Sequence, residues 1–141
     1  MLQENTPCLI KNLLDHGFKV LLETNGSLDI SAVDPRCARI VDIKLPGSGA
    51  AEKNNLKNIA LLHERDELKF VIAGEKDYLA AKDLLKLIPQ EKAGRIVINF
   101  SPVSSTLDPA ELAAWILADR LLVRLNLQLH KCLWPGEMRG V

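Results

Sequence analysis

Hydrophobic positions along this chain change period repeatedly, from the spacing of a helix face to the unbroken apolar run of a buried strand. Residues 7 to 16 place Leu9, Ile10, Leu13 and Leu14 on one helical face, with Thr6 as N-cap, Pro7 at the first helical position and Gly17 as C-cap. Phe18 to Glu23 then reads as a strand that closes on Thr24-Asn25-Gly26-Ser27. Asp34-Pro35 marks a turn before a second strand, Arg39 to Leu45. Leu56, Ile59, Ala60, Leu61 and Leu62 suggest a helix between Gly49 and Glu67, and Leu68 to Ala73 follows as the third strand. Asp77 to Ile88 returns to helical spacing and stops at Pro89, and Arg95 to Phe100 makes a fourth strand that ends at Ser101-Pro102-Val103. Asp108-Pro109-Ala110-Glu111 opens a further helix with an acidic cap, a proline and a carboxylate at the third helical position. Val123 to Leu129 alternates strictly, so Arg124, Asn126 and Gln128 share one face of a last strand.

About five strands alternating with three or four helices predict an α/β fold, a right-handed parallel sheet with covering helices. A helix directly followed by a strand, at the start of the chain, is the second half of a repeating unit. A complete barrel takes eight such units and about 250 residues, so the predicted architecture is a single domain over 1–141 that forms part of a (β/α) barrel.

Composition narrows the function classes. With 48% hydrophobic residues in 141 and a formal net charge of +0, the chain can build a core and has no basic block for phosphate backbones, which argues against a direct nucleic-acid partner. No apolar run approaches the roughly 20 residues that span a bilayer, and residues 1 to 17 lack the basic and apolar regions of a signal peptide, so a cytoplasmic location is expected. Cys8, Cys37 and Cys132 are too far apart for a CxxC-type metal site and odd in number for a disulfide framework. His16, His63 and His130 show no spacing that puts two imidazoles on one helix face.

Candidate chemistry collects at strand ends, where ligands gather on parallel sheets. Glu23-Thr24-Asn25-Gly26 closes one strand with hydrogen-bonding side chains, a pattern that fits a simple turn equally well. Asp42 and Lys44 stand two apart on one strand and so share a side; they either pair or hold a ligand together. Pro46-Gly47-Ser48-Gly49 bares backbone N–H groups, which alone is a weak signal of an anion loop, and Ser101-Pro102 ends the fourth strand at the same rim.

Taken together, Glu23-Thr24-Asn25-Gly26-Ser27, the run from Val41 to Gly49, Asp66 to Ile72, Leu127-Gln128-Leu129-His130-Lys131 and the closing Arg139-Gly140-Val141 resemble the 7-carboxy-7-deazaguanine synthases, in that family's order. These are radical S-adenosylmethionine lyases of queuosine biosynthesis, a tRNA modification pathway. The resemblance implies conversion of 6-carboxy-5,6,7,8-tetrahydropterin to 7-carboxy-7-deazaguanine with loss of ammonia, using a 4Fe-4S cluster, S-adenosylmethionine and Mg2+. A missing first strand would leave one sheet edge unpaired, which invites association, so a homodimer is expected. It implies that Asp42, Ile43 and Lys44, with Ser101, Pro102, Val103 and Ser104, contact S-adenosylmethionine, that Glu23 and Asn25 lie on the same floor, and that Val141 offers its main-chain carboxylate to the pterin.

The family's CxxxCxxC cluster segment, the Asp-Thr that reaches Mg2+ and the Gly-Gly-Glu-Pro strand have no counterpart here. The chain therefore resembles a C-terminal portion of the synthases, expected to bind no cluster and to turn nothing over alone; its three scattered cysteines do not replace one compact cluster loop. Two further readings stand beside this one. Another radical S-adenosylmethionine protein, such as an activase, shares the Glu-Thr-Asn-Gly and Asp-Ile-Lys elements, and a non-catalytic α/β module would bind a nucleoside-like ligand or a partner chain.

Overall fold

The computed structural model describes residues 4–129. Five strands, β1 (Leu21–Thr24), β2 (Ala38–Ile43), β3 (Glu67–Ile72), β4 (Val97–Pro102) and β5 (Arg124–Leu125), form one sheet in the order β1-β2-β3-β4-β5. Every neighbouring pair is parallel. Three α-helices lie between or before them: α1 (Thr6–Asp15), α2 (Glu75–Leu85) and α3 (Pro109–Ala118). An order that never reverses, joined by right-handed crossovers, sends every connection over the same face of the sheet.

Burial follows that logic. In β2 and β3 the residues alternate between half-buried and fully buried, and the buried set is Arg39, Val41 and Ile43 with Leu68, Phe70 and Ile72. The register places Val41 beside Leu68 and Leu68 beside Ile98, then Ile43 beside Phe70 and Phe70 beside Phe100. Ile10 of α1, Tyr78 and Ala81 of α2, and Leu112 and Ile116 of α3 join these in one core cluster. Phe100 takes the Phe70 and Tyr78 rings edge-on at centroid distances of 5.6 and 6.1 Å, a geometry that aromatic quadrupoles favour.

Several boundaries differ from the sequence expectation. Strand β1 starts at Leu21 instead of Phe18 and, as an edge strand, leaves Leu21 exposed, and β2, β3 and β4 are each displaced by one or two residues. Helix α1 already includes Thr6, with Asn5 in the capping position, so Thr6 is not the N-cap. Helix α2 begins at Glu75 and ends at Leu85, shifted toward the amino end of the expected span. Residues 49 to 67 form no α-helix but short 3-10 turns, Ala51–Lys53 and Leu56–Leu61. Ile59 and Leu62, three apart and fully buried, suit three residues per turn, and Asn54 and Asn58 tie this segment to strand ends by side-chain bonds.

The last strand differs most: β5 holds two residues instead of seven. Its alternation is right, but its partner runs out. Asn126 N–H donates to the Phe100 carbonyl (2.8 Å), and the next rung toward β5 falls on Pro102, which has no N–H to donate. The expected Asp108 cap of α3 is present, with Ala110 N–H donating to its carboxylate (2.8 Å) and Pro109 first in the helix, but the expected bond from Glu111 back to the cap is not among the bonds of the described residues. No helix among the described residues is long and apolar enough to cross a membrane.

Candidate functional site

The second face of the sheet is built by the residues that alternate with the core. From β1 to β4 it carries Glu23, then Ile40 and Asp42, then Glu67, Lys69 and Val71, then Val97, Asn99 and Ser101. One register row runs Asp42, Lys69, Asn99, Arg124 across four adjacent strands, an arrangement forced by in-phase parallel pairing. Charges on this face answer one another. Lys44 Nζ donates to Asp42 Oδ2 (2.6 Å), Lys69 Nζ to Glu23 Oε1 (2.9 Å) and Asn99 Nδ2 to Glu67 Oε2 (2.6 Å).

Two atoms on the same face have no partner among the described residues. Asp42 Oδ1 and Ser101 Oγ are both buried and unbonded there, and Ser101 as a residue is 3% exposed. A buried hydroxyl and a buried carboxylate oxygen left unmatched are uncommon and costly, and a polar ligand on this face would satisfy both.

The carboxyl rim above this face is held by side chains bonded to backbone. Asn54 clamps one peptide unit from both directions: Lys44 N–H donates to Asn54 Oδ1 (2.9 Å), and Asn54 Nδ2 donates to the Lys44 carbonyl (2.7 Å). Asn58, wholly buried, donates to the carbonyls of Gly26 (3.1 Å) and Leu28 (2.8 Å) and accepts from Ile30 N–H (3.3 Å). Gly26 has φ of +66°, and a Cβ there would lie 2.9 Å from Val41 Cγ1, so both backbone and space call for glycine after β1. A cavity of about 140 Å3 opens at this rim, lined by Lys44, Gly47, Ser48, Val71, Asp77 and Val103 among others.

The expected site residues divide accordingly. Asp42, Lys44 and Ser101 come together on the polar face, with Glu23 at its edge, 56% exposed at the side chain. Ile43 and Pro102 are buried and alternate to the core side; Ile43 is among the residues that line the rim cavity, and Pro102 is not. Val103 lines the rim cavity, while Ser104 is exposed in the turn beyond it. Asn25 points into its own turn, accepting from Ser27 N–H (3.2 Å) and Ser27 Oγ (2.8 Å). Val141 lies outside the described residues, as do His130 and Cys132. Sequence reasoning missed Glu67, Lys69 and Asn99; their signal was the polar residue at every second position within otherwise apolar strands.

A larger hollow of about 570 Å3 sits at the opposite, amino end of the strands, between Pro35, His63, Glu64, Lys92 and Arg95. Its Arg95–Glu64 pair (3.2 Å) is exposed, and parallel sheets present ligands at the other end. No described group of three or more Cys, His, Asp or Glu residues could hold a metal ion. Cys8 is exposed on α1, and Cys37 is buried, which pushes its thiol pKa up.

Comparison with known proteins meets this geometry. The 7-carboxy-7-deazaguanine synthase of Chlorobaculum tepidum is 45% identical over 144 residues, covering 100% of this chain and 64% of that protein. This chain is a relative of the 7-carboxy-7-deazaguanine synthases. The synthase of Koribacter versatilis is 36% identical, covering 94% of the chain and 63% of its own length, and that of Leptospira interrogans is 38% identical, covering 85% and 50%. The chain thus spans less than two thirds of the length of these curated synthases. No protein-family model matches it. No solved structure matches it either.

Proposed function

We propose that this chain is a C-terminal portion of a 7-carboxy-7-deazaguanine synthase, a single-domain part of a radical S-adenosylmethionine partial barrel whose polar face forms the cofactor wall. The observation that carries this reading is the pair of unpartnered buried atoms, Ser101 Oγ and Asp42 Oδ1, on the one face that the core does not use. Likeness to the synthases along the whole chain supports it.

The residues present fit S-adenosylmethionine and do not fit an iron-sulfur cluster. Asp42, Lys44 and Ser101 offer an anion, a cation and a hydroxyl on one face of the sheet, with Lys44 lining the rim cavity, a set suited to a cationic nucleoside that bears an amino acid. S-adenosylmethionine supplies a reusable radical source when bound in the complete enzyme. Here Asp42 and Lys44 neutralise one another and would orient the ligand's polar groups, while Ser101 donates or accepts one hydrogen bond. The described cysteines stand singly, so the 4Fe-4S cluster and Mg2+ of the full-length family have no ligand set among the described residues. Pterin substrate, ammonia loss and the role of Val141 follow from the resemblance, and a homodimeric assembly and a cytoplasmic location are parts of the same reading.

Calorimetric titration of the full chain tests it. S-adenosylmethionine binding is expected, weakened in Ser101→Ala and in Asp42→Ala. Neither cofactor nor pterin binding would favour a non-catalytic α/β module, and cofactor binding without the pterin another radical enzyme. Anaerobic reconstitution with iron and sulfide is expected to leave no cluster absorbance.

A further inference from the structure

Asp77, three residues into α2, is a carboxylate only 3% exposed and has no ion-pair partner among the described residues. A buried unpaired charge is costly unless hydrogen bonds replace its water. Two do so here, and they come from different strand ends. Gly47 N–H, in the turn after β2, donates to Asp77 Oδ1 (2.7 Å), and Ala73 N–H, just past β3, donates to Asp77 Oδ2 (3.0 Å). The α2 N-terminus adds its partial positive charge to the same carboxylate.

The fit around Gly47 is close. A Cβ on Gly47 would collide with Asp77 Oδ2, although the glycine's backbone angles are open to other residues. The two amides therefore approach the carboxylate as near as they do because residue 47 has no side chain. Lys44 and Val71 precede the two stapled amides and both line the rim cavity with Asp77.

We propose that Asp77 is a positioning residue for the ligand rim: its carboxylate staples the β2 and β3 ends together and so sets where Lys44 and the neighbouring wall stand, without touching the ligand. The proposal rests on the reading of that rim as the S-adenosylmethionine site. Asn cannot replace Asp here, because an amide presents one acceptor and a donor where two acceptors are needed.

The test uses the full chain, with S-adenosylmethionine as the calorimetric probe and residue-resolved amide exchange as a second readout. Asp77→Asn and Gly47→Ala are each expected to weaken binding about tenfold, the effect of losing one charge-assisted hydrogen bond's worth of order, and to speed exchange at Gly47 and Ala73. Tyr78→Phe, which loosens α2 from α3 on the far side of the helix, is expected to lower the melting temperature and leave both readouts at the rim as they were. Asp77→Asn binding like the unaltered chain, with both amides still protected, overturns the proposal. If the unaltered chain binds no S-adenosylmethionine, the functional reading fails, and the exchange data alone then decide: lost protection at both amides upholds the staple, and unchanged protection refutes it. Should Asp77→Asn not fold, Gly47→Ala keeps the carboxylate and answers the same question.

Discussion

One sheet presents two faces made from alternate residues of the same strands, and they obey opposite rules. On the helix-covered face Val41, Ile43, Leu68, Phe70 and Phe100 are fully buried and touch each other and the helices. On the other face Lys69 pairs with Glu23 and Asn99 with Glu67 across strands, Asp42 pairs with Lys44 along its own strand, and Ser101 is left unmatched among the described residues. The first face gains free energy by removing apolar surface from water; the second gains little from its ion pairs, which stay partly hydrated. Stability is therefore concentrated on one side, and the other is free to serve a ligand. One residue crosses the division. Arg39 sits on the covered face, 3% exposed, with its guanidinium and its own N–H bonded to Asp66, which also accepts from His63 N–H (2.8 Å).

The sharpest way to break the comparison is Phe70→Ala, expected to cost about 3–5 kcal/mol in denaturant unfolding because it empties the centre of the covered face. Asp66→Asn should follow at about 3 kcal/mol, since it leaves the Arg39 charge buried without its counter-charge while keeping part of the hydrogen bonding. A loss as small as that of a surface ion pair would show that the Arg39 site is wetter than its burial indicates.

The Tyr78 hydroxyl lies within hydrogen-bond reach of both the Trp115 carbonyl (2.8 Å) and Asp119 Oδ2 (2.6 Å) and has one proton to share between these two acceptors, joining α2 to α3 above the covered face. Burial first, and then the Asp119 bond, raise the phenol above its ordinary value of 10.0. A raised folded value favours the protonated form, so this contribution is fully present below pH 10 and is lost as pH rises toward the folded value. Melting temperature is expected to fall above about pH 10 in the unaltered chain, and Tyr78→Phe, costing about 1 kcal/mol at neutral pH, should flatten that slope. Asp119 moves the other way. Lys82 first, then Tyr78, lower its pKa from 3.8, so its share is lost as pH falls below that value.

The smallest effects belong to the polar face. Lys69→Ala should cost less than about 1 kcal/mol, and Ser101→Ala about 0 or a slight gain, because the Ser101 hydroxyl has no bond to lose. A Ser101→Ala loss above about 1 kcal/mol would mean that the hydroxyl has a partner within the folded chain.

Much of this was legible along the chain. Short stretches rich in β-branched and other apolar residues announced the four longer strands, and Asp108-Pro109 announced α3, because both signals are local. Asp42 and Lys44, two apart, had to share a side, and they do pair. The segment from 49 to 67 has apolar positions that fit a helix, and the sequence does not show that Asn54 and Asn58 bond to strand ends 10 and more residues away. The last strand was overestimated because its alternation says nothing about Pro102, the neighbour that halts its pairing.

The sequence by itself determined which residues share a face, since alternation along a strand follows from backbone geometry alone. It also determined where the turns fall and which family the chain resembles. Only the tertiary structure decided which face the helices would cover, because that depends on the strand order and the hand of the crossovers. It likewise decided that Lys69 meets Glu23, 46 residues away, that Asp77 bonds two strand ends at once, and that Ser101 and Asp42 each keep an atom unpaired. Those contacts join residues distant along the chain, and no local pattern encodes them.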